Sequence, residues 1–181
     1  MTPVPLVHRP TPTPTPPPRL AGGAGWTWSP TENVSVSETD SSEPALAVAP
    51  DGTIFAVWEE LYAGRSLLYY SLRRGGTWSA PVGFFVGREP ALAVGPEGQV
   101  HLVFAYQAGG NYEIYYTTWT GRGWGPPQNI SATSSTSTQP SIAVEGDGSP
   151  IVVWTETNGG QPRIYYAWRS NGLWNSYIVP N

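Results

Sequence analysis

The chain has 181 residues with Gly 21, Pro 20, 13% aromatic residues, only 12% charged residues and a net charge of −4. Its nine basic residues are all arginines and never form a run, which excludes the clustered cations that nucleic-acid binding requires. The lack of cysteine excludes disulfides and thiolate metal sites; His8 and His101 have nothing in the sequence to bring them together, so no zinc centre or other cofactor is expected.

Residues 1–25, MTPVPLVHRPTPTPTPPPRLAGGAG, alternate Thr and Pro from Pro10 to Pro18. That pattern predicts an extended polyproline II tail, a stiff spacer with no internal hydrogen bonds. These residues hold no apolar run of the length of a signal peptide or a membrane span, so neither an export signal nor membrane insertion is expected from them. Trp26–Ser35 follows, WTWSPTENVS, in which Trp28 to Asn33 has the same separation as Trp124 to Asn129 further on. It predicts one surplus strand over 26–35.

The remainder is a threefold repeat. PALAVAPDGTIFAVWEELYAGRSLLYYSLRRGGTW begins at Pro44, PALAVGPEGQVHLVFAYQAGGNYEIYYTTWTGRGW at Pro90, and PSIAVEGDGSPIVVWTETNGGQPRIYYAWRSNGLW at Pro140. Proline, aromatic (Trp58, Phe104, Trp154), tyrosine pair (Tyr69/Tyr70, Tyr115/Tyr116, Tyr165/Tyr166) and late tryptophan (Trp78, Trp124, Trp174) keep one spacing throughout. Apolar residues recur with period two, the mark of strands. Strand A spans Ala45 to Ala49, a tight turn at Pro50-Asp-Gly52 leads into strand B from Thr53 to Glu60, strand C runs to the tyrosine pair, and strand D starts at the late tryptophan. Repeats of this period predict an all-β propeller of four-stranded antiparallel blades, three per chain over about 40–85, 86–135 and 136–181, within a domain spanning 26–181. Helix content near zero is expected.

At the C to D turn, Ser71-Leu-Arg-Arg-Gly75-Gly-Thr77-Trp78 resembles the Asp box, S-x-D-x-G-x-T-W, of the sialidase and BNR-repeat propellers, with Arg73 at the aspartate position. The second copy keeps Gly121 and Trp124, the third little beyond Trp174. The resemblance covers about residues 26–181 and implies a propeller whose box lies on the face opposite the family's active site. Sialidase chemistry would imply an arginine triad, a tyrosine nucleophile with a glutamate partner, and an acid aspartate. Asp51 and Asp147 instead occupy the A to B turns, Asp40 precedes the first repeat, and the tyrosine pairs recur in every copy, as packing residues do. No enzymatic activity is expected.

Strand direction places the D to A and B to C loops on one face. That face gathers Glu43, Arg88, Glu89 and Gln139 beside strand A, with Glu59, Glu60, Tyr62, Arg65, Tyr106, Asn111, Tyr112, Glu156 and Arg163 from the B to C loops. Polar and aromatic loops on a rigid scaffold are where binding usually sits. Trp119 and Trp168 are further candidates for stacking on sugar rings, because the first copy has Arg73 and Leu72 there.

These features predict a non-catalytic extracellular or cell-surface module that binds glycans or a protein partner and works as an oligomer. The alternatives are a self-assembling subunit of an extracellular filament or surface layer, with the tail and surplus strand contacting a neighbouring chain, and a fragment of a sialidase-like glycoside hydrolase. Three blades would leave two open sheet faces, so a closed dimer or an open head-to-tail assembly is expected.

Overall fold

The computed structural model describes residues 29–178, and these contain strands and no helix. The chain divides into two units, Met1–Asn33 and Val34–Asn181. In the first, only Ser29–Asn33 are described, and they carry no strand. The expected tail and residues 26–28 of the surplus strand therefore lie outside the described residues. Residues 29–35 carry no strand, so the expected surplus strand is not formed over that part.

The second unit consists of three antiparallel sheets. The first comprises β1 (Ser41–Val48), β2 (Ile54–Tyr62), β3 (Arg65–Arg74), β4 (Thr77–Trp78) and β5 (Val82–Val86), with both β4 and β5 paired to β3. The second runs β6 (Arg88–Val94), β7 (Val100–Ala108), β8 (Asn111–Thr118) and β9 (Gln128–Asn129); the third runs β10 (Thr136–Val144), β11 (Pro150–Asn158), β12 (Gln161–Ser170) and β13 (Leu173–Ile178). None of the sheets closes on itself.

The last strand is broken where proline removes a ladder donor. Pro81 separates β4 from β5, and Pro126-Pro127 separate the Trp119–Trp124 bridge from β9, whereas the third copy, with no proline from Leu173 to Ile178, forms the continuous β13. The first strand begins earlier than the expected Ala45. Glu43, Glu89 and Gln139, each just before the repeat's proline, take φ of 49°, 53° and 54°, and the register shifts there in all three sheets. This bulge absorbs the proline and lets pairing continue back to Ser41, Arg88 and Thr136.

In the β1–β2 and β10–β11 turns, Asp51 and Asp147 accept the backbone N–H groups of Thr53 and Ser149 at 2.8 Å, and Gly52 and Gly148 supply the positive φ. Across the β3–β4 turn and its equivalent in the second sheet, a hydroxyl of the third strand holds the segment that follows the turn. The Ser71 hydroxyl donates to the Ser79 carbonyl at 2.8 Å, and Thr117 donates to the Gly125 carbonyl at 2.8 Å in the second copy. Ala167 ends this interaction in the third.

The core lies between sheets. Phe55, Val57, Leu68 and Leu72 of the first meet Val100, Leu102 and Phe104 of the second, and Val103, Ala105, Ile114 and Tyr116 of the second meet Val152, Trp154 and Ala167 of the third. Each large side chain so buried contributes roughly 1.5–3 kcal/mol. Gly87 permits the close approach of the first pair of sheets: a Cβ there would sit 2.6 Å from Cδ2 of Phe104.

Candidate functional site

The β2–β3 and β7–β8 turns and the β5–β6 connection meet at one end of the first two sheets. They enclose a cleft of about 440 Å³ lined by Arg65, Ser66, Arg88, Tyr106, Gln107 and Tyr112, among others. Arg65 is exposed and makes no ion pair among the described residues. Arg88 is held more firmly: its guanidinium carbon lies 5.3 Å from the Tyr112 ring centroid, and Nη2 is 3.0 Å from Oε1 of Glu89. The Tyr112 side chain, ahead of the Glu89 charge, pushes the Arg88 pKa above its ordinary value, so its guanidinium stays protonated. Nε of Arg88 is buried without a partner among the described residues.

The bulges fix these groups across the sheets. Glu59 accepts the Ser66 hydroxyl on one oxygen and the Glu89 backbone N–H, at 3.4 Å, on the other. Glu89 in turn accepts the Gln139 N–H at 2.6 Å, and the Gln139 side chain accepts the Thr155 hydroxyl at 3.3 Å. The left-handed residues of the second and third sheets are thus each tied to the sheet before, which anchors the backbone next to Arg88.

Of the residues expected on the loop face, Arg65, Arg88 and Tyr106 converge on the cleft, with Glu89 behind Arg88. Glu43, Tyr62 and Arg163 are exposed and do not line it. Asn111 is occupied in holding the β9–β10 connection, donating to Glu113 at 2.7 Å, to the Thr133 carbonyl at 3.2 Å and to the Ser135 carbonyl. Glu60 and Glu156 are buried beneath the loop face, 5% and 2% exposed, and do not line the cleft. Glu60 accepts the Trp58 indole N–H at 2.8 Å and the hydroxyls of Ser37 and Thr39; Glu156 accepts that of Trp154 at 2.9 Å and the hydroxyls of Thr133 and Ser137. A carboxylate two residues beyond a tryptophan on one strand points to the same side, and the indole N–H draws it inward.

Trp119 and Trp168 part company. Trp119 packs edge-on against Phe55 at 5.4 Å and Tyr70 at 5.5 Å, and lines a second cleft of about 370 Å³ at the opposite end of the sheets, beside Asp51, Arg74 and Glu97. Trp168 stacks on Tyr166 at 5.4 Å on the outer side of the third sheet. Gln107 escaped the sequence reading, since an amide at the end of a strand carries no pattern; its position next to Tyr106 was the only available signal. No cluster of three His, Cys, Asp or Glu suited to a metal occurs among the described residues.

No protein-family model matches the chain, and no curated protein matches it in sequence. Solved structures do match in fold. A protein of unknown function from Dyadobacter fermentans superposes with a TM-score of 0.66 at 15% identity, covering 84% of this chain and 55% of its own. A Hadza microbial sialidase gives 0.62 at 13% identity over 76% of this chain and 37% of its own. An ulvan lyase, a polysaccharide lyase bound to a GlcA(1-4)Rha3S chain, gives 0.57 at 13% identity over 74% and 42%. The chain thus spans about half or less of each neighbour's length, and at these identities the likeness concerns the all-β fold.

Proposed function

We propose that this chain is a non-catalytic, extracellular propeller module, its three sheets being three blades, that binds acidic glycans through the cleft between the first and second sheets. The observation that carries the reading is the convergence of Arg65 and Arg88 with Tyr106, Gln107 and Tyr112 around one cleft. A guanidinium presents a planar fork of donors that matches a carboxylate or sulfate, while phenol and amide groups suit sugar hydroxyls. Two fold neighbours are named as a sialidase and as an ulvan lyase bound to a glucuronate-containing sulfated chain, which supports a glycan as the ligand class. Against catalysis speaks the engagement of Glu60 and Glu156 in buried hydrogen bonds, which leaves the cleft without a carboxylate pair.

Calorimetric titration with a uronate-containing oligosaccharide and its neutral, carboxyl-reduced counterpart tests the reading. Binding of the acidic ligand alone, weakened at least tenfold in Arg65→Ala, is the expected result. Equal binding of the two, or binding of neither, would overturn it.

A further inference from the structure

The third sheet turns an apolar face outward. Ile151 and Val153 alternate with the inward Val152 and Trp154 on β11, and their ladder partners Trp168 and Tyr166 extend the face across β12. Ile164 and, across from Tyr166, Tyr177 complete it; Val153, Ile164 and Tyr177 are 39%, 50% and 57% exposed. The residues 50 positions earlier, His101, Val103, Ile114 and Tyr116, occupy the same side of the second sheet, where the third sheet buries them to between 0% and 4% exposure. The face is thus of a kind that this chain itself covers with another sheet.

The cover is also present on the chain. Ile142, Val152, Trp154 and Trp174 are the third-sheet residues that close over the second. Their equivalents 96 positions earlier are Leu46, Ala56, Trp58 and Trp78, on the outer side of the first sheet, where Leu46 is 63% and Val48 55% exposed while Trp58, bonded to Glu60, is only 4% exposed. Pro44 is exposed there, while Pro90 and Pro140 are buried at the two internal junctions. One chain therefore carries, at opposite ends and largely exposed among the described residues, both halves of an interface it makes twice internally.

We infer that the outer face of the third sheet docks on the outer face of the first sheet of a second copy of this chain, in a head-to-tail contact between unlike faces that repeats the internal sheet junction. The contact is independent of the glycan reading, since neither face includes a residue of the arginine cleft. If the turn per junction closes, two copies form a ring of six sheets, within the usual range of propellers; if not, the contact propagates.

The test uses the full chain and two variants, Val153→Asp on one face and Leu46→Asp on the other, both at exposed positions and checked for parent-like circular dichroism; Ile164→Glu replaces Val153→Asp if the latter fails that check. Light scattering is expected to give the parent at twice the 19.5 kDa chain mass or a higher multiple. Each variant alone should be monomeric, and an equimolar mixture should form a one-to-one complex through the two intact faces. A monomeric parent overturns the inference. So does a Leu46→Asp chain that still pairs with itself, which would mean contact between like faces, or a mixture that stays monomeric.

Discussion

At the scale of single residues, buried polar groups determine what the loop face can present. Glu156 accepts an indole N–H and two hydroxyls, and a buried donor left without its acceptor costs about 1–3 kcal/mol. Glu156→Leu is therefore expected to destabilise the protein by about 2–4 kcal/mol in urea denaturation, with Glu60→Leu close behind; a change below about 0.5 kcal/mol would remove the structural role assigned to both. The second repeat explains why the motif is not universal: Phe104 and Tyr106 stand for Trp and Glu, and they pack with Phe84 and Phe85 of β5 rather than with a segment rich in hydroxyls. His101 is a second buried group, hydrogen-bonded through Nδ1 to the Tyr116 hydroxyl at 2.7 Å. Burial, followed by the charge of Arg169, lowers its pKa from 6.5 to about 4. The unfolded chain thus binds a proton between these values that the folded chain refuses. The contribution is fully present above pH 6.5, falls away as the pH drops towards 4, and amounts to at most about 3 kcal/mol. His101→Gln should flatten the decline of melting temperature between pH 6.5 and 4; an unchanged slope would show that carboxylates alone produce it.

At the scale of elements, the bulge before each proline is the most informative feature. A residue preceding proline is ordinarily pushed towards extended backbone, yet Glu43, Glu89 and Gln139 all occupy the left-handed region. Glu89 earns that geometry through its bonds to Glu59 and Gln139, while the exposed Glu43 has no hydrogen bond among those described for its side chain. Glu43→Gly should consequently be neutral or stabilising by up to about 1 kcal/mol, whereas Glu43→Val, β-branched and unsuited to positive φ, should cost more than about 1 kcal/mol. Equal melting temperatures for the two variants would show that the bulge is not held in solution. A similar local argument covers the split last strands: prolines 81, 126 and 127 remove ladder donors, and the third repeat shows the strand uninterrupted when they are absent.

At the scale of the whole molecule, stability resides in the junctions between sheets. Trp124 lies in the first junction, stacked on Phe84 at 5.7 Å and edge-on to Tyr70 and Phe55 at 6.4 Å, and Trp174 meets Tyr116 at 4.9 Å in the second. Trp78 holds the same place in the repeat and is half-buried like the other two, but it faces outward from the first sheet and makes no aromatic contact among the described residues. Sequence alone makes the three tryptophans equivalent. Their surroundings do not. Trp124→Ala should cost about 3–5 kcal/mol, and Trp78→Ala markedly less when measured on monomeric Leu46→Asp protein, where the outer face has no partner. Equal losses at the two positions would contradict the assignment of faces.

The repeat spacing, the period-two alternation and the turn residues are local properties, and they were sufficient to specify the order and antiparallel direction of the strands within each sheet, though not the surplus strand or the split last strands, because backbone sterics and the burial of alternate side chains act over a few residues at a time. The convergence of Arg65, Arg88, Tyr106 and Tyr112 follows from that direction only in part: the sequence placed them on one face together with Glu60, Glu156 and Asn111, and could not separate the groups. That separation depends on partners distant in the chain, such as the Thr133 and Ser137 hydroxyls that hold Glu156 or the carbonyls that hold Asn111. Hydrogen bonding and desolvation of a charged side chain are settled by whichever groups the packed sheets bring within about 3 Å, and only the tertiary structure decides which those are.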